Sequence, residues 1–435
     1  MKIVQVIPDF GLGGIQKAGC VLAEGLGRQG HEAVVIGQAS GDRFQAAPPD
    51  GVVHHVSTAS TPTDYAEEIL RLEPDVVHIH AAAYEEELVD ALTASGSSGS
   101  KQPLLVSTPV FGRPPKKRSL LTKTRTAVVG TYILYRLRHW LSLTLNEALE
   151  AGIAFTPVVS FQATDPPCST LDSADVLAAR RAEFGIPKDA EVVGRIGRDS
   201  PEKWSPANRE LIDRFLSKRP RGVWLSVGFP EEIGRSELEE RWGDRFIALP
   251  QSSDYPLLSK AFAAMDVQAF FSCAGECFAA TICEPAGVGL PTIAGTNPLK
   301  DNGQSEQVVD GQTGYLVASI DEALDRIDAL LDTPTDLIAL KQATSDYAHA
   351  RWTPDQIVQD LLALYEAWMS EEPLKHSRMQ QIREEAEAFD KGYVPRMLRL
   401  HGGSAAATAW WSFKLAATRS WPLFRVGARL KRFLA

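Results

Sequence analysis

The chain has 435 residues, of which 44% are hydrophobic and 23% charged, an ordinary globular composition at a length that exceeds one core, so two domains are expected. Its formal net charge of −10 argues against a general nucleic-acid binder. The cysteines, Cys20, Cys168, Cys273, Cys277 and Cys283, are odd in number and match no zinc spacing, which points to free thiols in a reducing compartment.

In chain order, Lys2 to Ile7 is an apolar strand, followed by Gly11-Leu12-Gly13-Gly14 and a helix to about Gln29. Glu32 to Ile36 is the next strand, so the chain opens as a βαβ unit with a glycine loop between strand and helix. Glycines there let backbone approach a ligand, and the helix N-terminus favours an anion; a plain tight turn is the alternative. A nicotinamide-dinucleotide site is not indicated. Gln16 stands where the third glycine belongs, and Gly37-Gln38 stands where a ribose-binding acid would end the second strand. Asp9 interrupts the N-terminal apolar run, so no signal peptide is expected. The best candidate for a membrane span, Ala127 to Leu145, carries Arg136, Arg138 and His139 and is rejected.

Val76 to His80 reads as a strand with His78 and His80 on one face, better taken as a polar strand end than as metal ligands. Pro103 to Thr108 is a buried strand of a parallel sheet. Then come Arg113, Lys116, Lys117, Arg118, Lys123, Arg125, Arg136 and Arg138, without an acid between Arg113 and Trp140 and interleaved with aliphatic and aromatic residues. In an acidic protein, that mixture predicts contact between residues 113–140 and an anionic bilayer.

The turn-rich segment Ala163 to Ser173 is a candidate linker. A helix over Ala174 to Phe184 and a strand over Glu191 to Ile196 start a second α/β unit. Past that strand, Arg198 and Lys203 lie five residues apart, a spacing that suits a diphosphate or an ordinary surface loop. The βα rhythm continues to the strand Val267 to Ser272, after which Glu276 and Glu284 bracket seven residues. Glu276 is expected in a loop at the carboxyl end of the strand and Glu284 on the following helix, facing the crevice where α/β sheets bind ligands. Gly289-Leu290-Pro291, Gly303, Glu306 and Asp310-Gly311-Gln312-Thr313-Gly314 follow.

The ordered set from Arg198 and Lys203 through Glu276-x7-Glu284 to Thr313-Gly314 resembles the retaining glycosyltransferases of the E-x7-E type (glycosyltransferase group 1, family 4). Gly13-Gly14 and Pro74-Asp75-Val76-Val77-His78 add to the likeness, which covers roughly residues 1 to 370. The resemblance implies an α/β protein of GT-B fold, with two Rossmann-like domains facing a central cleft and a helical C-terminal extension. It divides the chain into residues 1–165 on the acceptor side, 174–350 for the nucleotide sugar, a crossover helix at 353–370 and an extension at 374–435. It implies that Arg198 and Lys203 hold the donor diphosphate and that Glu276 faces the donor sugar. Glu284 would bind the ribose diol. Cys277, Phe278, Ala279 and Glu306 would border the donor, and Gly13 and Gly14 would close on it. No metal or other cofactor is implied, since two cations and helix N-termini neutralise the diphosphate. The chain departs from the family after Thr108, where Pro109-Val110-Phe111-Gly112 lacks the histidine often found there, and at Cys277 and Pro285.

Thr353-Pro354-Asp355-Gln356 predicts a helix start, with Ile357, Val358, Leu361, Leu364, Tyr365 and Trp368 on one face. A charged helix over about Leu374 to Phe389 comes next. From Lys391 to the end there is no acid, while cations accompany Trp410, Trp411, Phe413 and Trp421. Leu423, Val426, Leu430 and Leu434 then share one helical face and Arg425, Arg429 and Arg432 another, a basic amphipathic helix suited to a headgroup layer or to the protein's own surface. The expected function is therefore sugar transfer from a nucleotide diphosphate sugar to a glycolipid or saccharide acceptor, such as a polysaccharide or lipopolysaccharide intermediate. The expected location is cytoplasmic, at the inner membrane face, through 113–140 and 404–435. A nucleotide-sugar epimerase or glycan phosphorylase on the same fold, and an inactive glycan- or nucleotide-sugar-binding protein, are the alternatives.

Overall fold

The structure, a computed structural model, describes residues 1–11, 13–39, 48, 51–95, 102–162 and 167–423. The chain divides into two compact units, one of residues 1–160, 354–396 and 409–435, the other of 161–353 and 397–408.

The first unit alternates strands β1 (Lys2–Ile7), β2 (Glu32–Gly37), β3 (Val52–Val56), β4 (Val76–Ala81), β5 (Leu104–Pro109), β6 (Arg125–Val128) and β7 (Ile153–Phe155) with helices α1 (Gly14–Arg28), α2 (Pro62–Leu70), α3 (Glu86–Ser95), α4 (Thr131–Trp140) and α5 (Leu145–Glu150). All strands are parallel, in the order β3-β2-β1-β4-β5-β6-β7. Near-continuous apolar strands such as Ile3 to Ile7 demand cover on both faces, which the helices supply. Strand order reverses between β1 and β4, so the glycine loop after β1 opens at a switch point.

The second unit repeats the plan with β8 (Glu191–Ile196), β9 (Gly222–Val227), β10 (Phe246–Leu249), β11 (Val267–Phe270), β12 (Gly275–Glu276), β13 (Thr292–Gly295), β14 (Asp301–Asn302) and β15 (Gly314–Val317). Its helices are α6 (Ala174–Glu183), α7 (Ala207–Lys218), α8 (Arg235–Trp242), α9 (Tyr255–Ala264), α10 (Ala280–Gly287), α11 (Gln304–Gln307), α12 (Ile320–Asp332) and α13 (Pro334–Arg351). The main sheet runs β10-β9-β8-β11-β13-β15, and β12 pairs separately with β14. The switch point lies between β8 and β11, so their two following loops share one sheet edge. Trp204, Phe215, Trp224, Phe229 and Ile293 fill the core on one face, and Val192, Leu225, Phe262 and Met265 belong to that on the other.

The chain then returns to the first unit through α14 (Pro354–Met369), and Ile357, Val358, Leu361, Leu364, Tyr365 and Trp368 are all buried, as their spacing predicts. Tyr365 meets His78, whose Nδ1 and Nε2 lie 2.7 Å from the Tyr365 hydroxyl and from Thr108 Oγ1. Since the Thr108 hydroxyl donates to the Ala127 carbonyl, His78 Nε2–H donates to Thr108 and the phenol donates to Nδ1. His80 Nε2 lies 2.6 Å from Gln5 Oε1. Both imidazoles are fully buried, so this is an interior polar network rather than a polar strand end. Burial holds His78 well below the usual histidine range and His80 down to about 3.

Helices α15 (Ser377–His401) and α16 (Ala405–Thr418) follow, the former longer than the sequence suggests and carrying Pro395. They correct the membrane reading of residues 113–140. Tyr132, Ile133, Leu134, Leu137 and Trp140 of α4 are buried, with Tyr132 and Tyr135 ringed by Phe389 and Tyr393, and Trp140 4.6 Å from Trp421. Arg136 is buried too, donating to the Phe111 carbonyl at 2.7 Å, and Arg138 pairs with Asp390. The aromatic component of the basic run is thus interior, while Arg113, Lys116, Lys117, Arg118 and Lys123 stay exposed. The amphipathic segment beyond Leu423 lies outside the described residues. Among the described residues no helix is long and apolar enough to cross a membrane.

Candidate donor-binding site

The second unit gathers the charged candidates at its switch point. The loop after β8 carries Arg198 and Lys203, and the loop after β11 carries Glu276. They are laced by main-chain bonds: Ala274 N–H donates to the Glu202 carbonyl at 2.9 Å and Ser205 N–H to the Phe271 carbonyl at 3.0 Å. Across that seam Lys203 Nζ lies 2.8 Å from each oxygen of Glu276. Arg198 projects an exposed side chain, while its carbonyl accepts from Trp204 Nε1 at 3.0 Å. The two cations and one carboxylate therefore belong to one loop pair, and Lys203 and Glu276 meet directly.

Glu276 sits in the short strand β12 rather than in an open loop, and Gly303 N–H donates to its carbonyl at 2.6 Å. The preceding Gly275 has φ +76°, and a Cβ there would lie 1.8 Å from the Asp301 carbonyl oxygen, so only glycine fits. Glu284 is buried on α10, and its charge adds to the burial that raises the Tyr255 phenol. Cys277 and Ala279 are buried, and Phe278 packs edge-on to Trp352. Gln307 on α11 clamps Ala279: its Oε1 accepts from the Ala279 N–H at 2.7 Å and its Nε2 donates to the Ala279 carbonyl at 2.9 Å. The Ala279 amide is thereby committed to protein. Glu306, beside Gln307, is half-buried. Gly13 and Gly14 belong to the other unit, where Gly13 caps α1 and Asp9 Oδ1 accepts from Gly11 N–H and Gln16 Nε2.

Sequence reasoning did not single out Gln307 or Arg195. Arg195 lies inside β8, fully buried between the Trp204 and Phe270 rings, at 4.5 and 4.6 Å from their centroids. A guanidinium after the apolar run Val192-Val193-Gly194 of a parallel strand was the available signal, because an interior charge needs a dedicated set of acceptors. Burial pulls it down to about 9 and the Glu276 carboxylate opposes that shift, so it stays cationic at neutral pH.

No family model matches the chain. A D-inositol 3-phosphate glycosyltransferase of Mycolicibacterium smegmatis is 30% identical over 210 residues, and that match takes in 46% of this chain and 45% of the relative, so the match spans less than half of either protein. The structure is similar to that of Anabaena Alr3699/HepE in complex with UDP, with TM-score 0.64 and 17% identity over 83% of this chain and 98% of that one. It is also similar to a glycosyltransferase from Rickettsia africae, with TM-score 0.65 and 16% identity over 86% and 99% of the two chains. The fold is GT-B. In this GT-B chain the Lys203–Glu276 pair occupies the switch point of the second unit, and the glycine loop that of the first.

Proposed function

We propose that this protein is a retaining, metal-independent glycosyltransferase that uses a nucleotide diphosphate sugar. The observation that carries the proposal is the Lys203–Glu276 contact at the β8–β11 switch point, with Arg198 exposed on the same loop. The diphosphate takes Lys203 and Arg198, the sugar hydroxyls take Glu276, and Glu284 accepts from the ribose diol. The bond from the anomeric carbon to the diphosphate breaks, with the developing charge stabilised by the two cations. The acceptor oxygen bonds to that carbon on the same face, and its proton passes to the departing phosphate. The partial relative's glycosyltransferase activity and the UDP held by the Anabaena protein support this choice over an epimerase.

The acceptor side belongs to the same proposal. The described end of the chain exposes Trp410, Phe413 and Leu423, and Lys414 covers the Trp410 and Trp411 rings. Apolar rings beside a cation, on a chain end without acids, suit an anionic lipid surface and hence a lipid-linked acceptor. The enzymatic reading is tested by donor hydrolysis, comparing wild type with Lys203→Ala and Glu276→Ala across nucleoside diphosphate sugars. A fall of about 100-fold or more in both variants is expected; equal rates would leave a binding protein without catalysis.

A further inference from the structure

We propose that Arg195 is a positioning residue of the donor site, a side chain that sets where Lys203 and Glu276 stand relative to each other. This rests on the donor-site reading above. One terminal nitrogen of its guanidinium donates to the Lys203 carbonyl and the other to the Phe271 carbonyl. Lys203 is one of the two cations of the β8 loop, and Phe271 directly follows β11 at the start of the stretch that leads to Glu276. A single planar group therefore spans the two loops from below, at the main chain of each.

The surroundings hold that group in one orientation. Its central carbon lies 4.5 and 4.6 Å from the Trp204 and Phe270 ring centroids, and its Nη1 also lies 3.4 Å from Asn208 Oδ1. Asn208 repeats the link, its Nδ2 donating to the Phe271 carbonyl at 2.9 Å and to the Ser205 carbonyl at 2.7 Å. The Phe271 carbonyl thus receives the Ser205 N–H, the Asn208 amide and Arg195 together. A buried cation is costly unless its donors are matched, and an aliphatic side chain would fill a strand interior at less cost. What the cation adds is a rigid two-pronged bridge between the loop that bears Arg198 and Lys203 and the one that bears Glu276. Lysine cannot reproduce it, because its single ammonium offers no planar fork to hold two carbonyls at a fixed separation.

The experiment compares wild type, Arg195→Met, Arg195→Lys and Lys203→Ala by calorimetric binding of UDP, GDP and ADP and of the matching nucleosides, with melting temperature recorded for each. The ratio of nucleoside diphosphate affinity to nucleoside affinity reads the placement of the cation and is blind to uniform loosening. Wild type should show the ratio, Lys203→Ala should lose it, and Arg195→Met should lose about tenfold of it while keeping nucleoside affinity. Arg195→Lys should fall between. If Arg195→Met does not fold, Arg195→Lys carries the test, with a loss of about threefold or more expected. An unchanged ratio in the folded Arg195 variants, or a parallel loss of diphosphate and nucleoside affinity, overturns the positioning role. Failure of wild type to bind any of the three diphosphates overturns the donor-site reading itself, and this inference with it.

Discussion

Lys203 and Glu276 are both partly shielded from solvent, and each is the other's partner. If the proposed donor site is right, a diphosphate has to divide this ion pair before it gains the ammonium. Glu276→Gln removes that competition and keeps the side chain's shape. UDP or another nucleoside diphosphate should bind this variant about two- to fivefold more tightly, because the lysine no longer has a charged rival, whereas sugar transfer should fall. Calorimetry with the free diphosphate and turnover with the sugar nucleotide separate the two effects. That Arg198, Lys203 and Glu276 gather on neighbouring loops was legible in the sequence, because charged residues at short spacing just past strands must lie at one sheet edge. Arg195 was not, since its acceptors are carbonyls eight and seventy-six residues away, and no side-chain pattern records a main-chain partner.

Between elements, close approach decides what can be exchanged. On α1, a Cβ at Gly25 would lie 2.5 Å from Val358 Cγ2 on α14. Gly25→Ala should destabilise the protein by about 1–3 kcal/mol through overpacking, measured as a drop in denaturant midpoint at constant slope. At β12, Gly275→Ala meets both the left-handed backbone and the Asp301 carbonyl, so β12 must leave β14 and carry Glu276 with it. Its expected signature is lost donor binding together with a lowered melting temperature. Element positions were well anticipated where apolar runs and glycine stops coincide, as at β8, β11 and α14. The stretch over α4 was misread because its partners, Phe389, Asp390, Tyr393 and Trp421, lie some 250 residues later, and a basic aromatic sequence has the same composition whether it faces lipid or another helix. On α16 the exposure is real, and Trp410→Ala with Phe413→Ala should leave the melting temperature unchanged while lowering retention on vesicles of anionic phospholipid by about tenfold. Undiminished retention sinks the role assigned to those rings.

For the whole molecule, the buried imidazoles tie stability to pH. Both are held neutral in the folded state, with folded pKa values below the unfolded value near 6.5. The unfolded chain therefore binds more protons as pH falls through 6.5, and the stability these groups contribute is complete above 6.5 and declines toward the folded value of about 3 for His80. Melting temperature should drop steadily over that window, and His80→Gln should flatten the decline; a profile unchanged by the substitution removes His80 as its source. His78 has a further consequence, because its phenol partner is supplied by Tyr365, on the far side of residues 161–353 of the second unit in chain order. During synthesis the β1–β7 sheet leaves the ribosome on the order of ten seconds before Tyr365 does. In that interval His78 has no phenol and α1 lacks α14, the helix that meets it at Gly25. The N-terminal unit thus begins first and finishes last, since its α14 follows residue 353 of the second unit in the chain.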